Sequence, residues 1–247
     1  MISVVIIGYG NVAQHLYKAF IKTPKVMVKQ VYARDLSKLA TVTNTPVTNN
    51  LANLKEADVY IIAVSDDVIS TVSAAINPKK GIVVHTSGSV SLQSLQNNGK
   101  KGVFYPLQSF SKDKRINFDE IPFCLETESV DDYTILENLA LAIGKKTYPI
   151  SSIQRQRLHV AAVFVNNFVN HMYTIGHDVC NEYNVPFEVL HPLIAETATK
   201  IQSLPPKEAQ TGPAKRKDQE TINNHMALLN EEQQNIYKIL TKSIQNG

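Results

Sequence analysis

Apolar residues follow two different rhythms along this chain. Up to about residue 150 they gather in short runs, beginning with ISVVII at 2–7, whose β-branched crowding predicts a strand buried on both faces of a parallel sheet. VMVKQVYAR (26–34), DVYIIAV (58–64), GIVVHT (81–86), GVFYP (102–106), IPFCLE (121–126) and KKTYPI (145–150) repeat that pattern. Helical spacing separates several of them, after Gly10, from Asp66 to Ile76, near 91–97 and near 130–143. Strands alternating with helices predict an α/β fold, a Rossmann-type doubly wound parallel sheet over residues 1–151.

The alternation then stops. Ser151 or Ser152 can cap a helix reaching about Tyr183, roughly 45 Å long at 1.5 Å per residue. Leu158, Ala161, Val165, Val169, Met172 and Val179 cover much of its surface, which predicts a central helix packed on several sides. A second helix over about 187–203 ends at Pro205-Pro206, and Gly212-Pro213 breaks the chain again. A last helix from about Lys217 would bury Ile222, Met226, Leu229 and Ile236, so that residues 152–247 form an all-α domain.

Chemistry collects where the predicted strands end. Gly8 permits a tight turn after the first strand, Gly10 lets a pyrophosphate approach the backbone, and Ala13 allows the following helix to pack closely. Asn11 can start that helix, and Tyr9 and Val12 complete the loop. Gly-x-Gly-x-x-Ala also closes ordinary turns, but a strand before it and a helix after it mark a dinucleotide site.

After the second strand, Arg34, Ser37 and Lys38 suit a 2′-phosphate, while Asp35 suits free ribose hydroxyls; NADP is favoured over NAD. Val64, Ser65, Asp66, Thr86 and Ser87 stand at the next strand ends, where they would flank ribose and nicotinamide, and Gln108 and Ser109 would reach a substrate. Serines and threonines at such places also cap helices or close turns. His85, after Val83 and Val84, reads as a core histidine rather than a catalyst.

Two polar stripes mark the helical half. At 100° per residue His159, Asn166, Asn170 and His177 fall within about 40°, and a buried unpaired amide costs about 1–3 kcal/mol, so they line a cleft, an internal network or a dimer seam. In QTGPAKRKDQETINNH (210–225), Asp218, Thr221 and His225 share one face, whose ordinary fate is solvation. A reductase also needs a proton donor and a clamp for substrate charge. Arg216, with Lys215 or Lys217, would hold a carboxylate, Asp218 and Thr221 would contact substrate, and His159 or His225 would give the proton beside Asn166.

Composition narrows the picture. The 247 residues are 43% hydrophobic, enough for substantial cores. A net charge of +3 with no basic run argues against nucleic acid. Cys124 and Cys180 have neither disulfide nor metal-ligand spacing, which fits a cytoplasmic protein with no metal. The first strand begins directly at the N-terminus, and VAAVFVNNFV is too short and too polar to cross a bilayer, so no membrane partner is expected.

In this order GYGNVA, VSDD, HTSGS, YPLQSF, HVAAVFVNNF and TGPAKRKDQETINNH resemble the Rossmann-like proteins whose C-terminal half is the domain of unknown function 2520. These are relatives of pyrroline-5-carboxylate reductase, deazaflavin-dependent NADP reductases and β-hydroxyacid dehydrogenases. The resemblance spans nearly the whole chain. It implies an N-terminal NADP domain, an all-helical C-terminal domain, an active cleft between them and a homodimer through the C-terminal helices. Its substrate is not implied.

The expected function is reduction of a small carboxylated keto or imino compound by NADPH. Three departures bear on it: Lys217 replaces a glycine, Tyr105 replaces a histidine, and Ala162 occupies the dehydrogenases' lysine position if Asn166 matches their asparagine. Loss of that lysine supports an alternative, a non-catalytic NADP-binding sensor or partner-binding protein.

Overall fold

The expected strands form in the computed structural model, which describes residues 1–76, 78–112 and 114–247. β1 (Ile2–Ile7), β2 (Val26–Tyr32), β3 (Val47–Thr48), β4 (Val59–Ile62), β5 (Ile82–His85), β6 (Lys101–Pro106), β7 (Pro122–Thr127) and β8 (Lys146–Pro149) make one sheet in the order β3-β2-β1-β4-β5-β6-β7-β8. Val4 to Ile7 are fully buried, as a strand covered on both faces requires. The first six strands are parallel, in the doubly wound order whose switch point lies between β1 and β4. The two-residue edge strand β3 had no signal in the apolar pattern.

α1 (Asn11–Phe20) buries Ala13, Leu16, Tyr17 and Phe20 against the sheet, and α2 (Ile69–Ala74) and α3 (Val130–Leu141) follow β4 and β7. The helix expected near 91–97 is corrected to a single 3₁₀ turn, Leu92–Ser94. Side chains take its amides instead of a helical ladder: Gln96 N–H donates to Ser73 Oγ, Leu92 N–H to Ser152 Oγ and Gln93 N–H to Ser91 Oγ.

The last two strands reverse. β7 is antiparallel to β6 and β8 is parallel to β7, so the chain leaves β8 level with Leu125, away from the carboxyl edge of the parallel strands. It returns along α4 (Ser152–Ala162), started by a capping box between Ser151 and Gln154. From Arg155 to His159 this helix climbs about 6 Å toward the edge where ligands of such sheets bind.

The chain divides into two compact units, Met1–Val163 and Phe164–Gly247. The helical path continues from α4 through a π-helical segment, Val163–Phe168, into α5 (Val169–Glu182). A π segment takes up an extra residue per turn and rotates the downstream helix face by roughly 100°, so His159, Asn166, Asn170 and His177 do not form the single stripe expected of a regular helix.

In the second unit, α6 (His191–Lys200) follows the 3₁₀ turn Phe187–Leu190, and the one-turn helices α7 (Pro206–Ala209) and α8 (Pro213–Arg216) flank Gly212. The expected last helix is two, α9 (Gln219–Ala227) and α10 (Glu231–Asn246), because Asn230 opens a capping box with Gln233. Among the described residues Ala214 and Ile222 are the unit's only buried apolar side chains. Met226, Leu229 and Ile236 are half-buried and Val165 is 72% exposed, so the many-sided burial expected of the long helix is not met within one chain. No helix among the described residues is long and apolar enough to cross a membrane.

Candidate functional site

A cavity of about 1050 Å³ opens where β1, β2, β4, β5 and β6 end. Gly8, Tyr9, Gly10, Asn11, Val12, Arg34, Asp35, Lys38, Val64, Ser65, Thr86 and Gln108 line it, the last of them a residue expected to reach substrate rather than coenzyme. Gly8 has φ +102°, and a Cβ there would meet Ala63 O at 2.3 Å, so the turn needs glycine. A Cβ on Gly10 would meet nothing within 4 Å; it would project into open space at the helix start. Gly10 caps α1 without a side-chain bond, which leaves the first amides of the helix as donors, with no acidic residue in the first turn to oppose an anion. This bare cradle fits a pyrophosphate.

Arg34 and Lys38 stand on the second-strand side of the cavity, as a 2′-phosphate requires. Asp35 Oδ1 accepts from Ser37 N–H at 2.9 Å, and hydrogen bonds from Ser37, side chain before backbone, hold its carboxyl below the usual carboxylate range. Its capping role leaves the two cations as the stronger feature. Ser37, Asp66, Ser87 and Ser109 do not line the cavity. Ser87 Oγ instead accepts the amides of Ser89 and Val90, both at 3.0 Å, which is the turn-closing alternative. Asn11 does not cap α1; its Nδ2 donates to Phe110 O at 2.9 Å. Phe110, Thr71 and Val72 also line the cavity, brought there by tertiary packing that no local motif announces.

At the end of β6, Tyr105 Oη and His159 Nδ1 are 3.1 Å apart, with their rings edge to face. Burial first pushes the Tyr105 hydroxyl up to about 12, so it stays protonated near neutral pH. Gly88 fits beneath them: a Cβ there would lie 2.5 Å from His159 Nδ1 and 2.9 Å from Tyr105 Cζ. His159 is held from one turn below. Arg155 is fully buried, pairs with Glu126, donates to Val90 O and reaches Ser152 Oγ at 3.2 Å, while Glu126 also accepts the amide and hydroxyl of Ser152 at 2.8 Å. Sequence reading missed this network because its partners lie far apart in the chain.

His85 lies in the core as expected, but its hydrogen bonding is not fully satisfied. It is fully buried, its Nδ1 accepts Ser87 N–H at 3.2 Å, and burial, reinforced by Arg155, pushes its pKa down to about 3. Its Nε2 has no partner among the described residues.

In the second unit, Asp218 caps α9: Oδ1 accepts Thr221 N–H at 3.1 Å and Oδ2 accepts the Thr221 hydroxyl at 2.8 Å. Those two bonds, the backbone one first, hold the Asp218 carboxyl below its ordinary value. His225 Nδ1 and Tyr237 Oη are 2.9 Å apart, which ties α9 to α10. Arg216 Nη2 lies 3.9 Å from Asp218 Oδ2, and Asn166 is exposed in the π segment. Lys217, where a glycine was expected, has φ +57° and ψ +35°.

Residues 121–244 match the model of the domain of unknown function DUF2520, and residues 3–88 match that of "NADP oxidoreductase coenzyme F420-dependent". Among solved structures, the chain is similar to "putative NADP oxidoreductase BF3122" from Bacteroides fragilis, with 38% identity over 100% of this chain and 98% of that one and a TM-score of 0.90. An imine reductase from Myxococcus stipitatus in complex with NADP+ shares the fold, with 14% identity over 99% and 92% of the two chains and a TM-score of 0.69. So does 1-pyrroline-5-carboxylate reductase from Streptococcus pyogenes, with 14% identity over 100% and 99% and a TM-score of 0.65. No curated protein matches the sequence. A domain model spanning half the chain and a full-length relative at 38% identity establish that the chain belongs to the DUF2520 family.

Proposed function

We propose that this protein is an NADP-dependent oxidoreductase that reduces a small carboxylated keto or imino compound. The observation that carries this reading is a cavity suited to a dinucleotide, with a hydrogen-bonded Tyr105–His159 pair at the carboxyl edge of the same sheet. Bound NADPH supplies a hydride to the substrate carbon. The amides at the start of α1 hold the pyrophosphate, and Arg34 and Lys38 hold the 2′-phosphate. His159 gives a proton to the substrate oxygen or nitrogen, Tyr105 orients its ring, and Arg216 binds the carboxylate with Gln108 and Asn166 as further contacts.

NADPH fluorescence titration combined with single-turnover reduction tests this. His159→Ala should slow the reaction by roughly 10²- to 10⁴-fold while leaving the NADPH Kd within about twofold. Arg216→Ala should raise the substrate KM far more than the NADPH Kd. Loss of NADPH binding in the His159 variant, or full activity without the imidazole, would sink the assignment.

The active form is a homodimer joined through the C-terminal helices. This rests on the apolar side chains that one chain leaves uncovered there, Phe164, Val165, Phe168 and Leu193 among them. A second reading, a non-catalytic NADP sensor, is favoured by one observation: Asp218, Thr221 and His225 already have partners within their own unit. NADPH binding with no turnover across carboxylated ketones and cyclic imines would select it.

A further inference from the structure

A second cavity, of about 740 Å³, lies against the last turns of α1. Ala19, Ile116, Phe118, Ala142 and Ile143 form its apolar wall. Lys18, Lys22, Lys112, Lys114 and Arg115 stand around it, all exposed, and no acidic residue among the described residues lines it. Among the described residues, none of the five lies within ion-pair distance of a carboxylate. Asp113 is outside the described residues; counted against them it still leaves five cations to one acid.

Such clustering is unfavourable without a ligand. The C-terminus of α1 accounts for Lys18, since its carbonyls attract a cation, but not for the four others. Like charges around one concavity repel, and its apolar wall concentrates their field; an anion entering relieves that repulsion. The volume suits a small molecule, and the cavity shares no lining residue with the coenzyme cavity.

We infer that this cavity is a separate binding site for an anion carrying two or more phosphate or carboxylate charges. It is also joined to the coenzyme cavity. His15, which lines the anion site, bonds through Nε2 to Ser111 O at 2.9 Å and packs its ring 5.5 Å from that of Phe110. Phe110 lines the coenzyme cavity and holds Asn11 through its carbonyl, so occupancy of one site changes affinity at the other.

Calorimetry with inorganic tripolyphosphate on the full chain, at about 0.15 M salt, tests the site without depending on turnover. Saturable binding to one site per chain is expected, weakened at least about tenfold in K18Q/K22Q/R115Q. The three residues are exposed, so the variant should keep wild-type circular dichroism and melting. Saturating NADP is kept present in these titrations, so the coenzyme cavity with Arg34 and Lys38 takes no tripolyphosphate and the basic cavity alone is read. Citrate distinguishes the sources: tighter tripolyphosphate binding assigns phosphate, tighter citrate binding assigns carboxylate. No saturable heat from either anion, equal affinity in the variant, or equal weakening by the remote control K79Q/K80Q/K238Q overturns the site. NADP affinity should shift by about two- to fivefold with tripolyphosphate present. A shift of equal size in wild type and K18Q/K22Q/R115Q, or no shift at all, overturns the coupling.

Discussion

The two units are built in opposite ways. Met1–Val163 holds every buried apolar side chain among the described residues except Ala214 and Ile222, arranged in layers on both faces of a sheet. Phe164–Gly247 caps α9 and α10 with side chains but leaves Val165 72% and Leu193 63% exposed. Local signals such as caps and prolines can define helices without supplying a core. The first unit is stabilised by its own interior, whereas the second leaves most of its apolar side chains at least partly exposed.

The largest test of that difference is oligomeric. Val165→Glu with Phe168→Glu should turn a dimer into a monomer and cost the second unit roughly 3–6 kcal/mol, seen as slower sedimentation and lost helical dichroism. A wild-type monomer with one cooperative melt would break the comparison. In the first unit, Arg155→Ala strands Glu126 and should cost about 3–5 kcal/mol in denaturant unfolding; the paired change Arg155→Met, Glu126→Met should recover most of it.

Acid should act on the first unit through His85. Its folded pKa of about 3 lies below the ordinary 6.5, so the unfolded chain binds the extra proton, and stability is lost as pH falls through that window. From pH 7 to 4.5 this amounts to roughly 2–3 kcal/mol, and His85→Leu should flatten that part of the profile. The smallest effect belongs to the second unit: Lys217→Gly should raise its stability by about 1 kcal/mol in thermal unfolding, since glycine enters the left-handed region at little cost.

The sequence made the sheet legible because burial on both faces demands unbroken β-branched runs, and Gly8 because its turn leaves room for no other residue type. Arg34 and Lys38 followed from their place after β2. Side chains that meet across the fold were not legible: Tyr105 with His159, and Arg155 with Glu126, are pairs that no periodicity connects. The stripe from His159 to His177 failed for a different reason, since a regular pitch was assumed through a segment that is π-helical. Asp218 and Thr221 were grouped correctly, but their nearest partners are each other. Among the helical apolar positions, spacing identified a face without identifying its cover.

Lys217 carries a consequence of its own. A lysine in the left-handed region imposes a standing strain on a unit that has only two sequestered apolar side chains to oppose it. Mutational drift toward glycine would relax that backbone at once, so persistence of the ammonium there would require a compensating benefit outside folding itself.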